Sequence, residues 1–272
     1  MKTLYLTDLD GTLLRSDQQL SDYTTRTINN LTQSGVHFSY ATARSQVSAS
    51  RVTGGLATPL PVICYNGGFI FDGKTKEILQ AHYFTQTEME YLVPLLAQHG
   101  VSPIAYAFIN SNEHFSFIEE NADDGMKFFL NSRVGDPRRR PVQNTDELYH
   151  GNVFYLTCIS NVAQLSLLHE VITADKRFYT VYHKDIYSDA RWCEIMPAQA
   201  TKAAAALQLK SMLGCEKLVV FGDGINDIPL FTVADESYAM ANAEPELKEI
   251  ATAVIDSNDN DGVAKWMDNN VH

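Results

Sequence analysis

Positive charge is scarce in this chain. Against 33 Asp and Glu stand 21 Lys and Arg, giving a net charge of −12 and a pI near 5.0. That balance argues against a general nucleic-acid binder, because such binding draws much of its affinity from Lys and Arg neutralising phosphates. The single basic cluster, Arg138 to Arg140 in "GDPRRRPV", is flanked by prolines and is expected on a solvated loop. Long apolar runs are lacking too. None approaches the ~18 residues of a membrane span, so no membrane partner is expected. The opening "MKTLYLTDLDG" turns acidic too early for a secretory signal, which gives a cytoplasmic expectation. Cysteine is sparse: four residues, at 64, 158, 193 and 215, without close pairing. They are expected as buried free thiols rather than disulfides or a zinc site. The histidines show no metal-ligand spacing, and there is no internal repeat or low-complexity segment.

What is present is an ordinary globular composition, 45% hydrophobic and 20% charged, over 272 residues, enough for one large domain or two. The first third reads as strand, helix, strand: "TLYLTDL", then "DYTTRTINNLTQSG" closed by Gly35, then "VHFSYAT". "PVICYNGGFIF" reads as a third strand running into a hairpin at Asp72-Gly73. The middle changes texture, with paired strands such as "SPIAYAFIN" and "HFSFIEE" separated by helices. From "TKAAAALQLKSMLG" and "KLVVFGD" onward the opening style returns. The expected fold class is therefore α/β, a Rossmann-like parallel-sheet core at 1–83 and 188–272 with an inserted α+β domain at 84–187.

In such a core, ligands sit beyond the carboxyl ends of the strands. "YLTDLDGTLL" places Asp8 and Asp10 there, followed by Gly11 and Thr12. "FSYATARS" adds Thr42, Ala43 and Arg44. Lys202 follows Thr201, a suitable helix N-cap. "FGDGIND" supplies Asp223, Asn226 and Asp227. Carboxylates crowded into one crevice resist ionisation unless positive charge opposes them. Lys202 offers one such charge, and a hard divalent cation would offer two. An oxygen-only donor set without nearby His or Cys suits Mg²⁺ far better than zinc. Carboxylates, lysine, hydroxyl and a helix N-terminus together suit a phosphate group. A carboxylate can also attack phosphorus.

"DLDGT", the threonine after the second strand, the later lysine and "GDGIND" occur in the order of the four motifs of the haloacid dehalogenase superfamily. With "YNGG" at 65–68 and "AMANA" at 239–243, the chain resembles the Cof-like phosphatase branch of that superfamily. The resemblance implies a C2-type cap, of the C2B kind, for the insertion. It implies Asp8 as nucleophile and Mg²⁺ ligand, and Asp10 as general acid and base with its backbone carbonyl on the metal. Asp223 would complete the metal ligands, while Asp227 would orient Lys202 or a metal-bound water. Thr42, Lys202 and Asn226 would hold the phosphoryl group, with Gly11, Thr12 and Ala43 lining it. Arg44 would either meet substrate or pair with an acid.

The implied activity is Mg²⁺-dependent hydrolysis of small phosphorylated metabolites, sugar phosphates first. A phosphomutase or phosphotransferase, and a non-enzymatic phosphate- or Mg²⁺-binding module, remain as rival readings. Monomer and dimer are both open. The chain departs from the commoner pattern at Ala43, Ala203 and Ala241, where glycine is frequent. Alanine keeps the N–H but would be costly at positive φ.

Overall fold

In the computed structural model, which describes residues 1–57, 60–160, 162–184 and 191–271, strands and helices alternate from the start. β1 (Thr3–Thr7), α1 (Asp22–Gln33), β2 (His37–Tyr40) and α2 (Gln46–Val52) precede β3 (Val62–Cys64), β4 (Phe69–Phe71) and β5 (Ile78–Ala81). The middle holds α3 (Gln86–Gln98), β6 (Ile104–Ile109), β7 (Asn112–Ile118), α4 (Asp124–Asn131), β8 (Arg139–Val142) and α5 (Thr145–Leu148). It continues through β9 (Asn152–Ser160), α6 (Val162–Thr173), β10 (Phe178–Lys184) and β11 (Arg191–Pro197). The last part comprises α7 (Lys202–Met212), β12 (Lys217–Gly222), α8 (Ile228–Val233), β13 (Glu236–Met240), α9 (Pro245–Ile250), β14 (Ala253–Ile255) and α10 (Gly262–Asn270).

Local chemistry sets these limits. The Ser21 side chain accepts from the Thr24 N–H to start α1, and Gly35, at φ +96, ends it. Thr85 and Glu88 form a reciprocal capping box at the start of α3. Thr201 caps α7 through the Ala204 N–H.

The chain divides into two compact units, residues 1–81 with 200–272, and residues 82–199. In the first, a five-stranded sheet runs β14-β13-β12-β1-β2, with every pair parallel. Leu4, Leu6, Leu218, Val219, Val220 and Phe221 are buried in it, as expected of central strands covered on both faces. Each such side chain contributes about 1.5–3 kcal/mol through burial. A second sheet, β3-β4-β5, is antiparallel, and a lone parallel bridge from Ala41 to Ile63 joins it to the end of β2. "PVICYNGGFIF" is thus two antiparallel strands, not one. A turn at Tyr65–Gly67 reverses the chain between them.

The second unit is a six-stranded sheet, β10-β11-β9-β6-β7-β8, with apolar side chains on both faces. One cluster packs Leu92, Leu96, Leu165, Leu168 and Ile172 of α3 and α6 onto Ala105, Leu156 and Cys158. The other seats Met126, Phe129 and Leu130 of α4 on Phe115, Phe117 and Ile159. Because β11 pairs antiparallel with both β9 and β10, the division after the insertion falls at 199/200 rather than at 187/188.

Two further expectations are corrected or met here. Arg139 and Arg140 lie not on a solvated loop but on β8, an edge strand parallel to β7. Arg138 pairs with Glu113 at 2.5 Å and Asp136 at 2.7 Å, and Arg140 donates to Ser116 and to the Glu147 carbonyl. Pro141 is tolerated because an edge strand needs hydrogen bonds on one side only. The four cysteines are buried thiols outside any disulfide. Among the described residues, no helix is long and apolar enough to cross a membrane.

Candidate active site

β1 and β12 lie side by side, with Thr7 opposite Phe221, so the two acidic loops leave the sheet together. The Asp8 N–H donates to the Phe221 carbonyl at 3.0 Å. From β1 the sheet continues to β2 on one side, and from β12 to β13 on the other. That reversal is where open α/β sheets form their ligand crevice. The loop after β1 is a five-residue turn closed by Leu14 N–H to Leu9 carbonyl, and its helical course is broken at Asp10 and Gly11. Gly11 has φ +72, and a Cβ there would lie 2.2 Å from Asp223 Oδ2. Glycine alone meets both conditions. Thr12 Oγ1 donates to Asp223 Oδ1 at 2.5 Å, fastening the first loop to the second.

Lys202, the first residue of α7, is 1% exposed. A lysine tolerates such burial only when paired. Its ammonium lies 3.0 Å from Asp8 Oδ1 and 2.7 Å from Asp227 Oδ1. Burial opposes its charge, but Asp227 and Asp8 together outweigh that and hold it above the ordinary lysine range. Asp227 accepts from the Asp223 and Gly224 N–H groups with its other oxygen, both at 3.1 Å. It therefore ties the lysine to the second loop.

Burial pushes the Asp8 carboxyl well up; Lys202 offsets part of this, and Asp227, Asp223 and Asp10 add to it. Asp223 is pushed up to about 7, first by burial, with Asp227 and Asp10 adding and Thr12 and Lys202 opposing. Carboxylate oxygens of Asp8, Asp223 and Asp227 all lie within 4.8 Å of one another. With all three carboxylates ionised around one ammonium, the cluster would carry two negative charges, the amount a divalent cation neutralises. Oδ2 of Asp8 and Oδ2 of Asp223 take no hydrogen bond among the described residues, whereas both oxygens of Asp227 are engaged. Two unengaged carboxylate oxygens, with no nitrogen or sulfur donor in the cluster, fit the one or two carboxylates that Mg²⁺ usually takes.

The Asp10 carboxylate stands apart from this cluster. It is half exposed and bound by Arg44, whose Nη2 and Nε donate at 2.6 and 2.7 Å. Of the two roles considered for Arg44, the structure displays the pairing with an acid. Thr42 is buried, and its Oγ1 accepts from the Arg44 N–H at 3.1 Å, leaving its own hydrogen to donate elsewhere. Ala43 is exposed beside it. Ala43, Ala203 and Ala241 all avoid positive φ, so alanine is unstrained at each. Asn226 reaches across the crevice and donates to Asn66 Oδ1 at 3.1 Å. A Cβ at Gly224 would lie 2.6 Å from the Asn226 carboxamide, so glycine leaves that side chain its room.

Two contributors were not assigned roles from the sequence. Asn242, within "AMANA", donates to the Gly11 carbonyl at 2.8 Å and accepts from the Asn258 N–H. Asn258 in turn donates to the Leu14 carbonyl, so the middle and the far end of the first acidic loop are tied to the C-terminal region. The quoted motif contained Asn242 but carried no sign of what it touches.

An acidic crevice at the carboxyl ends of a parallel sheet, in a core interrupted by an α+β insertion, is an enzyme architecture. The chain belongs to the haloacid dehalogenase-like hydrolase family, whose match spans residues 5–267. It is 24% identical to a 5-amino-6-(5-phospho-D-ribitylamino)uracil phosphatase of Bacillus subtilis, covering 96% of this chain and 94% of that one. It is 22% identical to the pyridoxal phosphate phosphatase of Escherichia coli, covering 96% and 95%. A solved haloacid dehalogenase-like hydrolase from Bacteroides thetaiotaomicron superposes with a TM-score of 0.80 at 20% identity, covering 99% of both chains.

Proposed function

We propose that this phosphatase hydrolyses phosphomonoesters of small metabolites, sugar phosphates foremost, in a Mg²⁺-dependent reaction through an aspartyl phosphate on Asp8. The observation that carries this reading is the state of Asp8. It is a buried carboxylate with Oδ1 beside the Lys202 ammonium, which is proposed to hold the phosphoryl group, and with Oδ2 unengaged and so open to the metal. The two phosphatase relatives support a small phosphorylated substrate, one being named for a phosphoribitylamino-uracil and the other for pyridoxal phosphate.

Asp8, Asp223 and the Asp10 backbone carbonyl would hold Mg²⁺, which supplies charge neutralisation for the phosphoryl oxygens. Asp8 attacks phosphorus as the bond to the ester oxygen breaks, and Asp10 gives that oxygen its proton. Water then attacks the phosphoryl group on Asp8 and yields its proton to Asp10, restoring both carboxyl groups and releasing inorganic phosphate. Lys202, the Thr42 hydroxyl and the Asn226 carboxamide hold the phosphoryl oxygens, and Asp227 keeps Lys202 in place. A loose phosphoryl transition state asks mainly for positioning and charge neutralisation, which these groups provide.

Phosphate release from a panel of phosphomonoesters, with and without Mg²⁺, tests the reading. The parent chain should release phosphate only with Mg²⁺, and Asp8→Asn should reduce the rate at least ~10³-fold, as expected for loss of a nucleophile. Asp10→Asn should also slow release severely. An Asp8→Asn variant as active as the parent would overturn the mechanism, and an isomerised product without free phosphate would indicate transfer instead.

A further inference from the structure

The turn between β3 and β4 carries two consecutive non-glycine residues with left-handed backbones, Tyr65 at φ 52 and Asn66 at φ 53, followed by Gly67 at φ 101. A bulky residue such as tyrosine seldom adopts that region, and strain of this kind concentrates at functional sites. The turn is also buried, with Asn66 1% exposed.

It touches three pieces of the candidate site. The Asn66 N–H donates to the Thr42 carbonyl at 3.0 Å, and the Tyr65 N–H to the Arg44 carbonyl at 3.1 Å. Gly67 lies so close to the start of α7 that a Cβ would fall 2.1 Å from the Thr201 carbonyl oxygen, beside the N–H of Lys202. The Asn66 side chain accepts from Asn226 at 3.1 Å. Thr42, Lys202 and Asn226 come from three distant segments, and this one turn abuts all three.

We propose that Asn66 is a positioning residue, which fixes the Asn226 carboxamide for the phosphoryl group. The inference rests on the functional reading above, in which Asn226 meets that group. A carboxamide nitrogen has two hydrogens. Asn66 takes one, which sets the plane of the amide and directs the second toward an anion in the crevice. Asn66 makes this contact from a left-handed backbone, which asparagine tolerates better than most residues.

The test is a double-mutant cycle with p-nitrophenyl phosphate and Mg²⁺. Asn66→Gly keeps the left-handed backbone and removes the acceptor; it is compared alone and in the Asn226→Ala background, with thermal melting in parallel. Asn66→Gly should lower kcat/KM by about tenfold in the parent, yet change it less than about twofold in Asn226→Ala, because residues acting through one contact are not additive. Should the glycine variant not fold, Asn66→Ser, too short to reach Asn226, takes its place with the same expectation.

A second readout is the side-chain NH₂ resonance of Asn226, identified by its loss in Asn226→Ala. Inorganic phosphate should shift it in the parent and not in the Asn66 variant. Parent-like kcat/KM in the Asn66 variant, or equal losses in both backgrounds, would overturn the inference. A parent that turns over no ester defeats the functional reading instead, and the phosphate-induced shift then decides on Asn66 by itself.

Discussion

Both carboxylate oxygens of Asp10 are held by one guanidinium, that of Arg44. Arg44 is itself steadied by Gln18 Oε1 at 3.0 Å and Ser48 Oγ at 3.2 Å. The acid proposed to move protons is thus held in place by a residue 34 positions away. Asp10 is half exposed, so the pair adds little to stability. Arg44→Ala should leave the melting temperature nearly unchanged while reducing kcat by about tenfold or more, the cost expected of a misplaced reacting group. Steady-state kinetics and a thermal melt on the same preparation check this, and unchanged kcat would reduce Arg44 to a surface contact.

The raised carboxyl of Asp223 fixes the sign of a pH effect. Its folded value, about 7, lies above the ordinary 3.8, so the metal-free folded state holds a proton that the unfolded chain has already lost. This stabilisation is complete at low pH and disappears as pH rises through about 7. Metal-free protein should therefore melt at lower temperature at pH 7.5 than at pH 5.5, if this group dominates. Mg²⁺ requires the ionised carboxylate, so it should raise the melting temperature more at pH 7.5, with proton release on binding. Calorimetric titration of Mg²⁺ in buffers of different ionisation enthalpy measures that release, and pH-independent affinity would contradict the assignment of Asp223.

Lys202 and Asp227 form a fully buried pair. Removing one partner strands the other, and such a loss costs about 3–5 kcal/mol. Lys202→Met should unfold at clearly lower denaturant concentration than the parent. Lys202→Met with Asp227→Asn should recover part of that stability but none of the activity. Denaturant midpoints and phosphate release, measured on all variants, separate the structural role of the pair from its role toward phosphate.

Gly11→Ala meets two penalties at once. A left-handed backbone costs alanine about 1–2 kcal/mol, which glycine is spared. The added methyl also enters the space of the Asp223 carboxylate. The variant should lose Mg²⁺ affinity more than it loses stability, and Mg²⁺ titration against a chemical melt distinguishes the two. Gly35→Ala, at φ +96 but with nothing within 4 Å of the added Cβ, is the control and should affect stability alone.

Much of this arrangement was legible in the sequence because strand ends bear ligands and the motifs fall at strand ends. Asp8, Asp223 and Asp227 were placed together on that basis, with Lys202 added as the residue after a helix N-cap, and these side chains lie together. The reversal at Tyr65–Gly67 was legible only as the turn signal Asn66-Gly67, inside a run that reads as a single strand. The flanking "VIC" and "FIF" are equally apolar, and an aromatic residue at φ 52 contradicts local preference, so tertiary contacts must impose it. β8 was missed because two prolines suggest a loop, whereas an edge strand accommodates one. The links from Asn226 to Asn66 and from Asn242 to Gly11 span 160 and 231 residues, and no local pattern reports such distances.

The hydrogen bond from Thr12 to Asp223 joins residues 211 positions apart. Its formation must therefore wait until β12 and the loop after it have been synthesised. A ribosome-bound nascent chain ending before β12 already contains Asp8 and Asp10, but lacks the carboxylate that Thr12 fastens. The intervening residues 82–199 have apolar cores of their own, so their collapse can shorten the span that must be closed. The reactive centre is in this sense a late product of folding, and a chain interrupted before its return to the first sheet would be left without it.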